Sequence, residues 1–271
     1  MPKSRRSCPR RTLVPPISGR NTLVVLLRHT VSGAGPPLLL LHSTAADSRQ
    51  WDPQRAALAA HWTVITPDLR GYGGSPLPAV AYSNTADVLA LLDDLGIEQT
   101  AVVGSSGGGW VALQVASTAP DRITSLVLLC ADADGVEPTA DVRTFAAQED
   151  ALLQAGDIEA ATELNVVTLL GPEADAAACE QLRVMQDRAF RVQLAAGEDV
   201  QEEEPAVDLS RISARTTVVA GRHDLDFFGL IARHLASALP NAELIELPWA
   251  GHLPNLERPA EITELIVRSV S

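Results

Sequence analysis

The residue best suited to act as a nucleophile is Ser106. It is the central residue of a Gly-x-Ser-x-Gly pattern that spans residues 104–108. An apolar run typical of a buried strand precedes this pattern, and a stretch typical of a helix, Val111–Ala116, follows it. A glycine-flanked serine between a strand and a helix is the context of a nucleophile elbow, in which the hydroxyl projects from a tight turn. The free N–H groups at the start of that helix favour negative charge developing beside the serine.

The two flanking glycines distinguish Ser106 from the serine before it. Side chains two residues either side of the nucleophile crowd each other in such a turn, and Gly104 and Gly108 avoid the crowding because they lack a Cβ. Centring the pattern on Ser105 would place Val103 where a glycine is required. We therefore predict Ser106 as the nucleophile.

A serine hydroxyl needs a general base, and the base needs an acid that orients it. In sheets that carry a nucleophile elbow, the acid and then the histidine follow the serine along the chain. The histidines that follow Ser106 are His223, His234 and His252. His234 lies within a helical pattern, whereas His252 lies in a loop directly after the last apolar strand, where doubly wound sheets position functional groups. We predict His252 as the base.

The acid is expected at the end of the strand before that loop, where two aspartates are available. Asp224 is nearer the strand end and is our choice, whereas Asp226 is expected to cap the helix that begins near Phe227. Asp132 and Asp134 follow an earlier strand and are a second candidate pair, although turn and capping roles are favoured for both.

The oxyanion of the tetrahedral intermediate needs two or more hydrogen-bond donors. The elbow supplies the backbone N–H of Gly107. The loop after the apolar run Leu38–Leu41 is expected to supply the second donor, the backbone N–H of Thr44. His42, in the same loop, is expected to shape the loop rather than to act as a base.

The order of apolar runs predicts an α/β fold. Short continuous apolar runs alternate with helical stretches from Leu38 to Cys130, and the alternation resumes at Thr216. Continuous strands indicate a mostly parallel sheet that helices cover on both faces. Residues 132–209 contain no clear strand, and their apolar residues recur at helical spacing with breaks at Gly156, Gly171 and Gly197.

These patterns predict three parts of the chain: a basic, disordered tail (1–20), a core (21–131 and 210–271) and a helical cap (132–209). The tail is rich in Lys and Arg and has no uninterrupted apolar segment, which argues against a signal peptide. Directly after the tail, the apolar run Leu23–Leu27 is predicted to form a strand.

The composition excludes some classes of partner. The formal net charge of −13 disfavours nucleic acid or an anionic membrane surface as the main partner. No apolar run reaches the roughly 20 residues that a membrane-spanning helix needs. The three cysteines are widely spaced and form no CxxC pair, so a reducing, cytoplasmic location is expected.

Taken together, the motifs resemble those of the α/β-hydrolase superfamily, in particular its small bacterial esterases, lactonases, C–C hydrolases and cofactor-free haloperoxidase-like enzymes. The matching segments occur in family order, and they are Leu38–His42, Pro67–Ser75, Val103–Gly108, Gly221–Asp224 and Gly251–Pro259. The resemblance implies an eight-stranded, mostly parallel sheet with a helical cap inserted after the sixth strand. It also implies Ser106, Asp224 and His252 as a catalytic triad. Ser43 stands where the family usually has glycine.

We predict a serine hydrolase that cleaves a carboxylic ester or a lactone through an acyl-enzyme. This mechanism requires no metal or organic cofactor, and no ligand cluster in the sequence suggests one. The substrate is expected to be a small, largely apolar molecule, with Ser43 and Trp110 as candidate pocket-lining residues. C–C bond hydrolysis or perhydrolysis by the same triad is an alternative, and a non-hydrolytic ligand-binding protein on this fold is another.

Overall fold

Seven strands form one sheet in the computed structural model, which describes residues 26–196 and 200–271. The strands are β1 (His29–Ser32), β2 (Pro37–Leu41), β3 (Thr63–Pro67), β4 (Thr100–Ser105), β5 (Ile123–Leu129), β6 (Arg215–Gly221) and β7 (Ala242–Leu247). Their order across the sheet is β1-β3-β2-β4-β5-β6-β7, and β1 with β3 is the antiparallel pair. The other neighbouring pairs are parallel, which confirms the mostly parallel sheet.

Helices alternate with these strands along the described part of the chain. They are α1 (Asp52–Leu58), α2 (Asn84–Asp94), α3 (Gly107–Thr118), α4 (Ala140–Gln154), α5 (Ile158–Leu169), α6 (Ala176–Ala195), α7 (Asp226–Ala238), α8 (Pro254–Glu257) and α9 (Pro259–Val270). Among the described residues, no helix combines the length and the hydropathy that crossing a bilayer would require.

Both faces of the sheet are buried. In β2, Leu39 and Leu41 belong to the apolar cluster on one face, and Leu38 and Leu40 belong to the cluster on the other. Helices α2, α3 and α7 contribute side chains to the first cluster, and α1 and α9 contribute to the second. The strands read as continuous apolar runs because successive side chains point to opposite faces and each face is covered.

The sheet differs from expectation at its antiparallel edge. The described residues hold seven strands where the resemblance implied eight, and most of the predicted strand Leu23–Leu27 lies outside the described residues. The first described strand, β1, has no apolar run, because its side chains are polar or partly exposed at the edge of the sheet. Backbone pairing with β3 holds it, together with a 2.6 Å hydrogen bond between the Oγ1 atoms of Thr30 and Thr66.

Helices α4, α5 and α6 lie between β5 and β6, a stretch whose described residues contain no strand apart from one bridge that pairs Glu202 with Tyr82. The breaks predicted at Gly156 and Gly171 follow the ends of α4 and α5, and Gly197 lies outside the described residues. The insertion follows the fifth described strand rather than the sixth, in keeping with the shorter strand count. Apolar side chains of α5 and α6 pack on the loop after β2 and on the segment around α8.

The tail predicted over residues 1–20 lies outside the described residues.

Candidate active site

Ser106 occupies the turn between β4 and α3, as the sequence predicted. Its backbone has φ of 52° and ψ of −121°, a conformation that residues other than glycine rarely adopt and that clusters at functional turns. The carbonyl of Ser106 accepts the N–H groups of Gly109 at 2.8 Å and Trp110 at 3.1 Å. These bonds start α3 directly after the serine, so Ser106 lies at the N-terminus of that helix.

The flanking glycines are required by close packing around the turn. A Cβ on Gly104 would lie 2.5 Å from the carbonyl oxygen of Gly108. A Cβ on Gly108 would lie 2.5 Å from the carbonyl oxygen of Leu41, at the end of β2. The crowding predicted for this turn is therefore confirmed.

The predicted base and acid are in contact. Nδ1 of His252 lies 2.7 Å from Oδ2 of Asp224, and the two side chains are 2% and 1% exposed. Asp224 follows the end of β6, and its Oδ1 accepts the N–H of Leu225 at 2.7 Å. The prediction that Asp226 caps α7 is wrong. Asp226 is the first residue of that helix, with Leu225 at the capping position, because the chain enters its helical conformation one residue earlier than predicted.

The other two candidate acids have different surroundings. Asp134 is exposed, and the backbone N–H of Asp132 donates to the carbonyl of Ser106 at 3.1 Å. Asp132 and Asp134 follow the end of β5, as the sequence suggested. The hydrogen bond of His252 favours Asp224 as its partner.

One backbone hydrogen bond and one side-chain contact bring the elbow and the histidine loop to the same edge of the sheet. The N–H of Ser106 donates to the carbonyl of Leu129 at 2.9 Å, and Sγ of the next residue, Cys130, lies 3.6 Å from the carbonyl oxygen of Gly251. Gly251 directly precedes His252. No hydrogen bond joins the side chains of Ser106 and His252 within the described residues, so their pairing is an inference from this placement.

Cys130 is a buried residue that the sequence reasoning missed. Its Sγ, with ligand atoms of Asp224 and His252, forms a cluster within 4.8 Å, a spacing that could hold a metal ion. Burial raises the pKa of the Cys130 thiol well above its usual value, and the nearby charge of Asp224 adds to the rise. The protonated thiol is then favoured at neutral pH, whereas metal ligation needs a thiolate. No sequence spacing links these three positions.

The loop after β2 lies against the elbow. Thr44 is exposed, and its backbone N–H has no partner among the described residues. A Cβ on Gly107 would overlap Cγ2 of Thr44, so the two predicted oxyanion donors belong to touching residues. The loop and the elbow are thus in contact at the two residues predicted to supply the donors.

His42 shapes this loop, as predicted. The N–H of Leu69 donates to its Nε2 at 2.9 Å, so the ring proton is assigned to Nδ1, which donates to the carbonyl of Ser43 at 2.8 Å. Burial lowers the pKa of His42, which favours this neutral form. Ser43 is not among the described residues with positive φ, so serine is unstrained at the position where the family usually has glycine.

The two candidate pocket-lining residues are almost fully buried. Ser43 is 1% exposed, and its Oγ accepts the N–H of Ala45 at 3.1 Å. Trp110 is 5% exposed and packs in the apolar cluster beneath α3. Neither side chain presents an open surface, and their contact with a substrate stays a prediction.

Glu257 is a further buried group near the histidine that the sequence reasoning did not assign. Its carboxylate accepts the N–H of Gly251 at 2.9 Å, and the N–H of Gly171 also donates to it. Burial raises the pKa of Glu257 to about 7. The N–H of His252 donates to the carbonyl of Leu169 at 2.8 Å. These bonds attach the histidine loop to the end of α5.

Comparison with known proteins identifies related chains. The model of the alpha/beta hydrolase family matches residues 38–265. RutD of Pseudomonas savastanoi pv. phaseolicola, which carries the name of a carbamate hydrolase, is 33% identical over 245 residues, covering 85% of this chain and 92% of its own.

Solved structures are similar over most of the chain. Est816, described as an N-acyl homoserine lactone degrading enzyme, is 29% identical, with a TM-score of 0.72 over 89% of this chain and 96% of its own. The enol-lactonase from Burkholderia xenovorans LB400 is 25% identical, with a TM-score of 0.73 over 90% of this chain and 96% of its own.

Proposed function

The chain belongs to the alpha/beta hydrolase family, and we propose that it hydrolyses a carboxylic ester or a lactone through an acyl-enzyme formed on Ser106. The observation that carries this proposal is the 2.7 Å hydrogen bond between the buried side chains of His252 and Asp224, at the sheet edge that holds the strained serine turn. A buried acid that orients a histidine is the arrangement that activates a serine hydroxyl.

Each group has one role in the proposed reaction. His252 takes the proton of Ser106 as the hydroxyl oxygen attacks the carbonyl carbon, and the carbonyl oxygen becomes an oxyanion. The N–H groups of Gly107 and Thr44 stabilise that charge. The imidazolium then gives its proton to the leaving alcohol, and Asp224 stabilises the positive ring without taking the proton. Water attacks the acyl-enzyme by the same steps and frees Ser106.

The helical insertion is proposed to act as a cap over this site. Its helices α5 and α6 pack on Ala45 and Ala46, which lie in the loop after β2, called the oxyanion loop from here on. They also pack on Leu253, directly after the histidine. Residues 132–209 would then form the wall that selects the substrate, on a core made of 21–131 and 210–271. Since the packing partners on both sides are apolar, a largely apolar acyl or alcohol group fits this proposal.

The named relatives point to two related bond types. Est816 and the enol-lactonase support a lactone, and RutD supports a carbamate as a second candidate substrate. A carbamate differs from an ester in carrying nitrogen on the acyl carbon, and the same attack and oxyanion contacts would serve both.

A panel of substrates tests the proposal directly. We expect turnover of nitrophenyl esters or of lactones of graded size, measured by absorbance or by pH-stat, and labelling by a fluorophosphonate probe that is lost after prior reaction with an ester inhibitor. A carbamate series run in parallel shows whether a carbamate, the second candidate substrate, is hydrolysed faster than the esters and lactones. Cleavage of a C–C ring-fission product or perhydrolysis without ester turnover would point to the alternative reactions. A protein that neither turns over the panel nor reacts with the probe would contradict the proposal.

The contact between Gly107 and Thr44 gives a prediction for the oxyanion loop. In Gly107→Ala the new Cβ would overlap Cγ2 of Thr44 and push the loop away, so we expect kcat to fall on the order of 10-fold or more. Thr44→Ser removes Cγ2 and leaves the next atoms 3.4–3.5 Å from the Cβ position, an ordinary contact. The double variant should therefore recover much of the lost kcat.

Thr44→Ser alone is the control, and its kcat should lie close to that of the unmodified protein. Steady-state kinetics on one ester measures all three variants. A double variant as impaired as Gly107→Ala would show that the loop does not supply the second donor.

A further inference from the structure

One buried side chain contacts three of the loops that the proposed mechanism uses. Gln50 is fully buried in a short 3-10 turn, Ser48–Trp51, that precedes α1. Its Oε1 accepts the backbone N–H of Ser43 at 2.8 Å, and its Nε2 donates to Oγ of Ser105 and to Oδ1 of Asn255, each at 3.0 Å. The three partners lie in the loop after β2, at the end of β4 and in α8.

Every polar atom of this amide has a partner. A primary amide offers two N–H donors and one carbonyl, and Gln50 uses both donors and the carbonyl. Asn255 returns a bond from Nδ2 to the backbone carbonyl of Gln50 at 3.1 Å. Because an unsatisfied buried polar group is costly, this network holds its members in one arrangement.

The partners of Gln50 are each close in sequence to a group of the proposed mechanism. Ser43 directly precedes Thr44, Ser105 directly precedes Ser106, and Asn255 lies three residues after His252. We propose that Gln50 is a positioning residue that fixes the oxyanion loop, the nucleophile elbow and the histidine loop relative to one another. This inference rests on the proposed function, since it concerns the placement of the groups named there.

The oxyanion loop depends on Gln50 most directly. The N–H of Ser43 is held by Gln50, and the carbonyl of Ser43 is held by the ring of His42. With both polar groups of Ser43 fixed, the peptide that follows has a set direction, and its N–H belongs to Thr44. A shift of that donor by about 1 Å can lower a rate on the order of 100-fold.

Gln54 provides a matched control. It is also a fully buried glutamine, and its Nε2 donates to the backbone carbonyl of Asn255 at 2.8 Å. It makes no hydrogen bond to Ser43 or to Ser105 among the described residues. Replacing either glutamine with methionine keeps the length of the side chain and removes one buried amide.

We expect Gln50→Met and Gln54→Met to lower the Tm by similar amounts and to differ in turnover. Gln50→Met should lower kcat on the order of 10- to 100-fold with little change in KM, because a displaced donor loses contact mainly with the transition state. Gln54→Met should keep kcat within about 3-fold. Equal kcat in the two variants at equal stability would overturn the inference.

A smaller change covers the case in which Gln50→Met does not fold. Ser105→Ala removes only the elbow-side partner of Gln50 and should lower kcat by several-fold, up to about 10-fold, with KM unchanged. A kcat no lower than that of Gln54→Met would again overturn the inference. The Ser106→Ala variant distinguishes a failure of this inference from a failure of the proposed function. If Ser106 is required for turnover and Gln50 is not, the proposed function stands and only the inference fails.

Discussion

Replacing Ser106 with alanine is expected to lower ester or lactone hydrolysis by about 10⁵-fold or more, because the variant lacks the hydroxyl on which the acyl-enzyme is proposed to form. The variant should keep its fold. Serine and alanine both carry a Cβ, so the cost of the positive φ at position 106 is the same for each. Activity is measured under conditions that detect a 10⁵-fold loss, and the fold is checked by circular dichroism and Tm.

The neighbouring serine is the matched control for this variant. Ser105 is fully buried, and its Oγ accepts a hydrogen bond from Gln50. Ser105→Ala should therefore lose at most about 10-fold in kcat and should still react with a fluorophosphonate probe. Equal losses in the two variants, or substantial hydrolysis by Ser106→Ala, would contradict the acyl-enzyme proposal.

The interior of the sheet could be predicted from sequence because each of its strands is buried on both faces. Runs such as Leu38–Leu41 contain no polar residue, and a short continuous apolar run bounded by turn residues is typical of a buried strand. The turn at Ser106 could be predicted for a related reason. Local backbone contacts require glycine at two positions of this turn, so the sequence shows two glycines at a fixed spacing around the serine.

The edge strand could not be predicted in the same way. β1 pairs on one side and packs little apolar surface, so His29–Ser32 gives no apolar signal. Its position is decided by hydrogen bonds to β3, which lies more than 30 residues further along the chain. The apolar run of this region lies earlier, at Leu23–Leu27, and its two described residues, Leu26 and Leu27, lie outside β1.

The groups that support the candidate site were also beyond sequence reasoning. Gln50 and Asn255 are 205 residues apart, and they meet because the strands that precede them end at the same edge of the sheet. Glu257 and Cys130 likewise contact the histidine loop, since both reach the backbone of Gly251. A buried glutamine or cysteine has no periodicity or spacing that reveals its partner, so only the tertiary structure identifies these residues.

Replacing Asp224 with asparagine is expected to lower kcat by about 10⁴-fold while the protein stays folded. The N–H of Leu225 donates to Oδ1 of Asp224, and His252 binds the other oxygen. In the variant, the carbonyl of the asparagine is required by Leu225, so its NH₂ group faces Nδ1 of His252. That nitrogen must then accept, which moves the ring proton to Nε2, the atom that should take the proton of Ser106.

The matched control is Asp226→Asn, two residues further along the chain. Asp226 is exposed at the start of α7 and makes no hydrogen bond to His252 among the described residues, so its replacement removes the same charge two residues away from Asp224. We expect its kcat to stay within about 2-fold of the unmodified protein. The comparison distinguishes the effect of the His252 tautomer on kcat from the effect of removing one negative charge. Steady-state kinetics, with Tm as the test of folding, compares the two variants. If Asp224→Asn kept its activity and Asp132→Asn lost it, the acid would be the one that follows β5, and the buried pair of His252 and Asp224 would have a structural role.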